Sequence, residues 1–119
     1  MTKIARVWFG KIPASKTEEY IEYVNQTGIQ DLTKTKGNLG AWLLTRSEGE
    51  TTEVGVISLW ESREAIERFA GKNIAKAVYY PEDDKYLFSL DPELVHYEVR
   101  IEAPKQTDQN DRRNKKRNT

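Results

Sequence analysis

The sequence predicts an α+β fold of the ferredoxin-like kind, βαββαβ with one antiparallel sheet, on three observations. Apolar periodicity gives the order strand, helix, strand, strand, helix, strand. The polar segment Ser47 to Thr52, with Gly49 at its centre, joins the two middle strands as a hairpin. The densest apolar run, Val54-Gly55-Val56-Ile57-Ser58-Leu59-Trp60, passes directly into Glu61-Ser62 and a helical stretch. A strand that is apolar on both faces and ends in a Trp at a helix start builds a pocket.

Each element has its own warrant. Ile4 to Ile12 is a strand with Val7 and Phe9 on one face and Ile4, Arg6 and Trp8 on the other, ended by Pro13. Ser15 and Glu18 have the spacing of a capping box, and Tyr20, Ile21 and Val24 form the buried stripe of the helix that follows. Gly28 interrupts that helix; Ile29 and Leu32 either continue it or begin a second short one, and Gly37 and Gly40 mark the exit. Gly40 to Arg46 is the second strand and Glu53 to Trp60 the returning one. Ser62 is a suitable N-cap for the helix Arg63 to Ala70, and Gly71 a suitable C-terminal cap. Asn73 to Val78 reads as one further short helix, Pro81 to Asp91 as an acidic loop, and Leu94 to Ile101 as the last strand.

Residues 1–103 therefore form one domain. The remainder, 104–119, is almost free of apolar residues and is expected to be a disordered basic tail. It holds Lys105, Arg112, Arg113, Lys115, Lys116 and Arg117 against Asp108 and Asp111; the chain as a whole has zero formal net charge, so the body is mildly acidic. An acidic body argues against nucleic acid as a partner. The third strand, Val54-Gly55-Val56-Ile57-Ser58, also lacks the aromatics and the basic Gly-Phe motif of an RNA-recognition module.

Two helices can cover only one face of a four-stranded sheet, yet the central strands are apolar on both. The uncovered face would be a large apolar patch, and a two-fold homodimer stacking sheet on sheet removes it. There is no Cys and only one His. This excludes disulfides, thiolate zinc, iron–sulfur clusters, a Cys nucleophile and a His-rich metal site within one subunit. No run is long enough to span a membrane and the first residues lack a signal-peptide core, so a cytoplasmic protein is expected.

The stretch Ser58-Leu59-Trp60-Glu61-Ser62, followed by Ala65-Ile66 and Phe69-Ala70, resembles the antibiotic biosynthesis monooxygenase family. Tyr79-Tyr80-Pro81-Glu82-Asp83-Asp84 and Val95-His96-Tyr97-Glu98-Val99 are similar to the same branch, so that the resemblance spans Ile4 to Arg100. It implies a dimeric α/β barrel with a pocket in each subunit between sheet and helices. Some members oxygenate aromatic polyketides without metal or flavin, and others degrade haem. The haem-degrading branch uses an Asn on the first strand, a Trp ending the third and a His on the second helix. Trp60 matches the Trp, but the helix Arg63 to Ala70 has no His and the first strand no Asn.

The resemblance thus implies a cofactor-independent monooxygenase acting with O2 on a small aromatic or quinol-like molecule. A non-catalytic ligand-binding or stress-associated dimer and a haem-binding protein are the alternatives. His96, the one side chain with an ordinary pKa near neutrality, is the candidate base, or a hydrogen-bonded strand residue. Glu98 shares its face. Trp60 either stacks on a planar ligand or packs the core, with Phe69 beside it in the matching motif. Tyr80 and Tyr86 either donate to an oxyanion or pack the loop. Arg46, and Arg6 likewise, either holds a phenolate or carboxylate or forms an ion pair. Trp8 and Trp42 are expected on the dimer-facing side of the sheet, and Glu82-Asp83-Asp84 as a solvated turn.

Overall fold

The structure is a computed structural model and describes residues 2–103; the basic tail expected over 104–119 lies outside the described residues. Strand β1, Ile4–Pro13, alternates in burial along its length. It pairs antiparallel with β3, Thr51–Trp60, from Ile4 opposite Trp60 to Pro13 opposite Thr51. Strand β2, Asn38–Glu48, pairs with β3 on the other side. The hairpin turns at Gly49, whose φ of +63° suits it to the tight connection.

Direct pairing fixes which residues share a face. Arg6, Trp8 and Ile12 lie with Thr52, Val54, Ser58 and Trp60 on the covered face; Val7 and Phe9 lie with Ile57, Trp42 and Leu44 on the other. The covered face meets α1, Thr17–Val24, and α2, Gln30–Lys34, in two clusters. One holds Trp8, Ile12, Tyr20, Val24, Val54 and Tyr86; the other holds Leu32, Trp60, Ala65, Ile66 and Ile74. Between α1 and α2 the helix does not stop at Gly28. It widens into a π-helical turn, Asn25–Ile29, and runs on.

The expected capping box does not form. The chain makes a 3₁₀ turn at Ala14–Lys16, and α1 starts at Thr17 without a side-chain cap. Thr17 instead donates to the Ala14 carbonyl at 2.8 Å and meets the Thr52 hydroxyl at 2.7 Å, which in turn meets Ser47 at 2.7 Å. A tertiary hydroxyl chain has replaced the local motif. Helix α3, Arg63–Ala70, behaves as the sequence implies: Ser62 accepts from the Ala65 N–H at 3.1 Å, and Gly71, at φ +84°, closes the far end on the Glu67 carbonyl.

The segment Asn73 to Val78 is not helical; it has a single turn, Lys76 N–H to Asn73 carbonyl, and is otherwise irregular. The reason is visible in its acceptors. The Ile74 and Lys76 carbonyls are bonded by Arg6 and the Ala75 carbonyl by the Leu94 N–H. The acidic loop contains a 3₁₀ turn, Asp83–Lys85, and then a two-residue strand β4, Ser89–Leu90, against Gly10 and Lys11. The last strand, β5, is shorter than expected, Val95–Glu98, and pairs with β1 from Ile4 to Val7. At its start Leu94 uses its N–H on the Ala75 carbonyl instead of on the ladder, and just past its end the Val99 N–H bonds the Lys3 carbonyl.

The sheet therefore runs β2-β3-β1, with β4 and β5 sharing the outer edge of β1. This is the antiparallel, ferredoxin-like βαββαβ plan, with its helices on one face. The opposite face exposes Trp42, Leu44, Val95 and Tyr97. Gly55 lies under Phe9 there: a Cβ at Gly55 would strike the Phe9 ring. Among the described residues no helix is long and apolar enough to cross a membrane.

Candidate functional site

A cavity lies between the covered face of the sheet and the helices. Arg6, Trp8, Val56 and Ser58 make its floor; Tyr20, Val24, Leu32 and the π-helical residues Thr27, Gly28 and Ile29 make one wall. Phe69 of α3 closes one side, and Ala77, Val78, Tyr79, Tyr80, Asp83, Leu87 and Leu94 lie over the top. π-helical turns inside α-helices recur at functional sites, and here the turn points three consecutive residues at the cavity. Its volume is about 80 Å³, below the ~300–1,000 Å³ of ordinary ligand pockets. The irregular cover, Ala77 to Leu94, must move outward to admit a polycyclic molecule. A wider groove between α1 and β2, lined by Glu18, Ile21, Glu22, Ala41 and Leu43, is open and carries no cationic side chain.

Arg6 is the central charged group. It is 3% exposed and bonds the Ile74 carbonyl, the Lys76 carbonyl at 3.3 Å and Nε2 of His96 at 3.0 Å. Its guanidinium carbon stands 5.9 Å from the centre of the Phe69 ring. The ion pairs among the described residues join Lys3 to Glu102, Arg46 to Glu53 and Lys85 to Glu82; none involves Arg6. Burial lowers its pKa to about 10, so the group stays cationic at neutral pH.

Asp83 marks the other end. It is buried and accepts the Tyr80 backbone N–H at 2.7 Å. Burial pushes its carboxyl pKa up, with Asp84 adding to the rise and the Tyr80 N–H opposing it. Burial, helped by Asp83, likewise raises the hydroxyl pKa of Tyr20 and of Tyr79. The cavity is thus cationic at Arg6 and acidic at Asp83, with aromatic walls between. Trp8 spans the middle: its ring meets Tyr79 edge-on at 6.4 Å. Its indole Nε1 is buried without a hydrogen-bond partner among the described residues; its nearness to the Tyr79 hydroxyl opposes the rise that burial gives that group.

The structure brings together some of the sequence candidates and separates others. Phe69 and Tyr80 line the cavity. The Tyr80 hydroxyl donates to Asp31 at 2.6 Å, and burial followed by that bond raises its pKa. Trp60 lies behind the floor, fully buried, with its N–H donated to Ser58 at 2.9 Å and its ring 6.1 Å from Phe69. Tyr86 is buried against Tyr20 and Tyr23 and donates to Glu19 at 2.7 Å; that bond first, then burial, lifts its pKa to about 12. Arg46 lies on the opposite face of the sheet, paired with Glu53 at 3.4 Å. His96 is beside Arg6 rather than on the cavity wall; burial first, then Arg6 and Arg63, lowers its pKa to about 4. Glu98 is exposed.

Two cavity residues were assigned elsewhere by the sequence reading. Trp8 faces the helices, not the open face, while Trp42 is on the open face as expected. Asp83 belongs to the cavity, not to a solvated turn. The signal for Trp8 was its parity with Arg6 and Ile4; Asp83 had none.

No family model matches the chain and no curated protein matches it in sequence. Solved structures do. A Bacillus cereus protein provisionally named an antibiotic biosynthesis monooxygenase superposes with a TM-score of 0.60 at 18% identity, covering 87% of this chain and 98% of its own. The haem-degrader MhuD of Mycobacterium tuberculosis, with two haems bound in its active site, gives 0.59 at 21%, covering 84% and 98%. NE2512 of Nitrosomonas europaea, of unknown function, gives 0.64 at 15%, covering 90% and 98%. The chain therefore has the fold of these proteins, and the resemblance read from Trp60 and its neighbours holds at that level.

Haem does not fit the residues present. Helix α3 carries no His, and the one His has its Nε2 bonded to Arg6. Among the described residues no three His, Cys, Asp or Glu side chains converge to hold a metal ion.

Proposed function

We propose that the protein is a small homodimeric monooxygenase that oxidises a small aromatic or quinol-like molecule with O2 in the Arg6–Asp83 cavity, without metal or flavin. The observation that carries this reading is a largely apolar, aromatic-walled cavity with the buried Asp83 carboxyl at one end and the buried Arg6 guanidinium at the other. Ground-state O2 is a triplet, so the protein's task is to turn the substrate into an electron-rich anion. Arg6 favours the ionised hydroxyl at its end, and Asp83, whose raised pKa suits a base, takes the ring proton that leaves as oxygen enters at the opposite end. Trp8, Tyr79 and Phe69 hold the ring flat and exclude water. The anion passes an electron to O2 and the pair recombines. One oxygen atom enters the ring, the other leaves as water, and the substrate supplies both electrons. His96 holds the Arg6 guanidinium in place instead of acting as the base, because its basic nitrogen is already an acceptor.

The homodimer rests on the open sheet face, where Trp42 is 51% and Tyr97 58% exposed. Stacking that face on a second copy buries it and leaves each cavity on the outer, helical side. We place the protein in the cytoplasm on its charged, cysteine-free composition. The same cavity supports a second reading, a ligand-binding dimer without chemistry.

Oxygen uptake by chelator-treated protein separates the two. With 1-naphthol and labelled O2, the oxygenase reading predicts a quinone carrying one labelled atom, and a turnover that Asp83→Asn lowers at least tenfold. Saturable quenching of tryptophan fluorescence with no oxygen uptake across a panel of hydroxyaromatics would replace it with the binding reading.

A further inference from the structure

The floor of the cavity is rich in hydrogen-bond donors. Arg6 and Ser58 are direct cross-strand partners, and Trp8 is the next covered-face residue along β1. A guanidinium has five N–H donors. Arg6 uses two from Nη1 and one from Nη2, which leaves Nε and the second Nη2 hydrogen without a partner among the described residues. Ser58 accepts from Trp60, so its own hydrogen is free to donate. Trp8 Nε1 is a buried donor with no acceptor among the described residues. A buried cation without an anion and a buried N–H without an acceptor are both costly. One oxyanion placed over the floor resolves both at once.

We propose that the cavity is selective for an aromatic monoanion, a carboxylate or phenolate carried on one or two rings, whose charged oxygen sits over Arg6, Ser58 and the Trp8 indole N–H. This rests on the reading that the cavity is the ligand site, and it names the ligand's chemistry. The ring lies along Trp8 toward Tyr79. A second anionic group at the far end would meet Asp83, so dianions are rejected. His96 completes the row Ser58–Arg6–His96 across β3, β1 and β5. Its acceptor nitrogen holds one edge of the guanidinium and turns the free edge to the ligand.

Calorimetry on the full chain with three probes tests this. 1-Naphthoate and its neutral isostere 1-naphthamide compare a carboxylate with no charge. 4-Nitrophenol reports its own ionisation by colour and so tests a phenolate. The proposal predicts that naphthoate binds at least about tenfold tighter than the amide, as charge-assisted hydrogen bonds allow, or that bound nitrophenol is ionised below its free pKa. Arg6→Met brings acid and amide to within about twofold of each other, the charge-assisted bonds being gone. Because Arg6 also ties down Ile74 and Lys76, Trp8→Phe is the second variant; it weakens the anion several-fold more than it weakens the amide, whose carbonyl is the poorer acceptor. Equal affinity for acid and amide together with un-ionised nitrophenol overturns the anion site while leaving the aromatic pocket intact. No binding of any probe overturns both.

Discussion

Nη1 of Arg6 stands 3.0 Å from Nε2 of His96, and this contact sets the protonation of the imidazole. A guanidinium only donates, so Nε2 must be the acceptor and the ring proton belongs on Nδ1. The His is neutral because burial disfavours its charged form and a fixed cation is its neighbour. The same contact occupies the lone pair that a base would need, and burial together with Arg6 lowers the proton affinity of the ring.

His96 is the chain's single histidine, so its titration can be read directly from imidazole proton shifts. The expected midpoint is about 4. An unfolded His takes up its proton near pH ~6.5. Between these values the unfolded state binds more protons, so the His96 contribution to stability is complete above the unfolded pKa and is lost as pH falls through the folded one. His96→Gln should flatten the fall of Tm in that window. Asp83, with its raised pKa, acts in the opposite direction and remains in both proteins. A midpoint close to that of a free imidazole would break the Arg6–His96 account.

Gly37 is required by its surroundings. Its φ is +95°, a Cβ there would strike the Ala65 Cβ, and its carbonyl accepts the Glu61 N–H at 2.9 Å. It locks the start of β2 to the junction of β3 and α3. Gly37→Ala should cost about 2 kcal/mol or more, from strain and overlap together. A melting curve within a degree of the parent would contradict this.

Trp60 and Trp8 should answer differently to the same substitution. Trp60→Phe removes the bond to Ser58 and leaves space in the core, at a cost of about 2 kcal/mol, yet keeps aromatic-ligand affinity. Trp8→Phe also leaves space but removes an N–H that has no partner among the described residues, so it should cost less stability than Trp60→Phe while anion affinity drops. Thermal melts paired with calorimetry check both. The reverse pattern would make Trp60 the ligand-facing residue.

The open face should control assembly without touching the cavity. Trp42→Asp with Tyr97→Asp places two charges on the proposed interface, and sedimentation should give a monomer whose α3 and cavity remain folded. A parent protein that is already monomeric would remove the dimer from the account.

Much of the fold was readable because local chemistry decides it. Parity along β1 and β3, the Gly49 turn, and the Ser62 and Gly71 caps need no tertiary context. The helix expected at Asn73 to Val78 failed for the opposite reason: Arg6 and Leu94, both distant in sequence, take its carbonyls. The site was harder to read because both faces of β1 and β3 are apolar. Parity grouped Arg6 with Trp8 but could not say which face meets the helices. Choosing by residue type favoured His96 and Trp60, which stand beside and behind the cavity. Asp83 sits among acidic neighbours and looks solvated until the following turn folds it inward.

The three tryptophans lie in three layers: Trp8 on the cavity floor, Trp60 in the core behind it, Trp42 on the open sheet face. Their indole N–H resonances therefore report separately on site, core and interface. Titrating labelled protein with 1-naphthoate is the most direct test that the cavity is the functional centre. The account predicts that the Trp8 indole N–H shifts strongly downfield as it gains its first acceptor, while those of Trp60 and Trp42 stay in place. A shift at Trp60 or Trp42 with Trp8 unmoved would put the ligand elsewhere and contradict it.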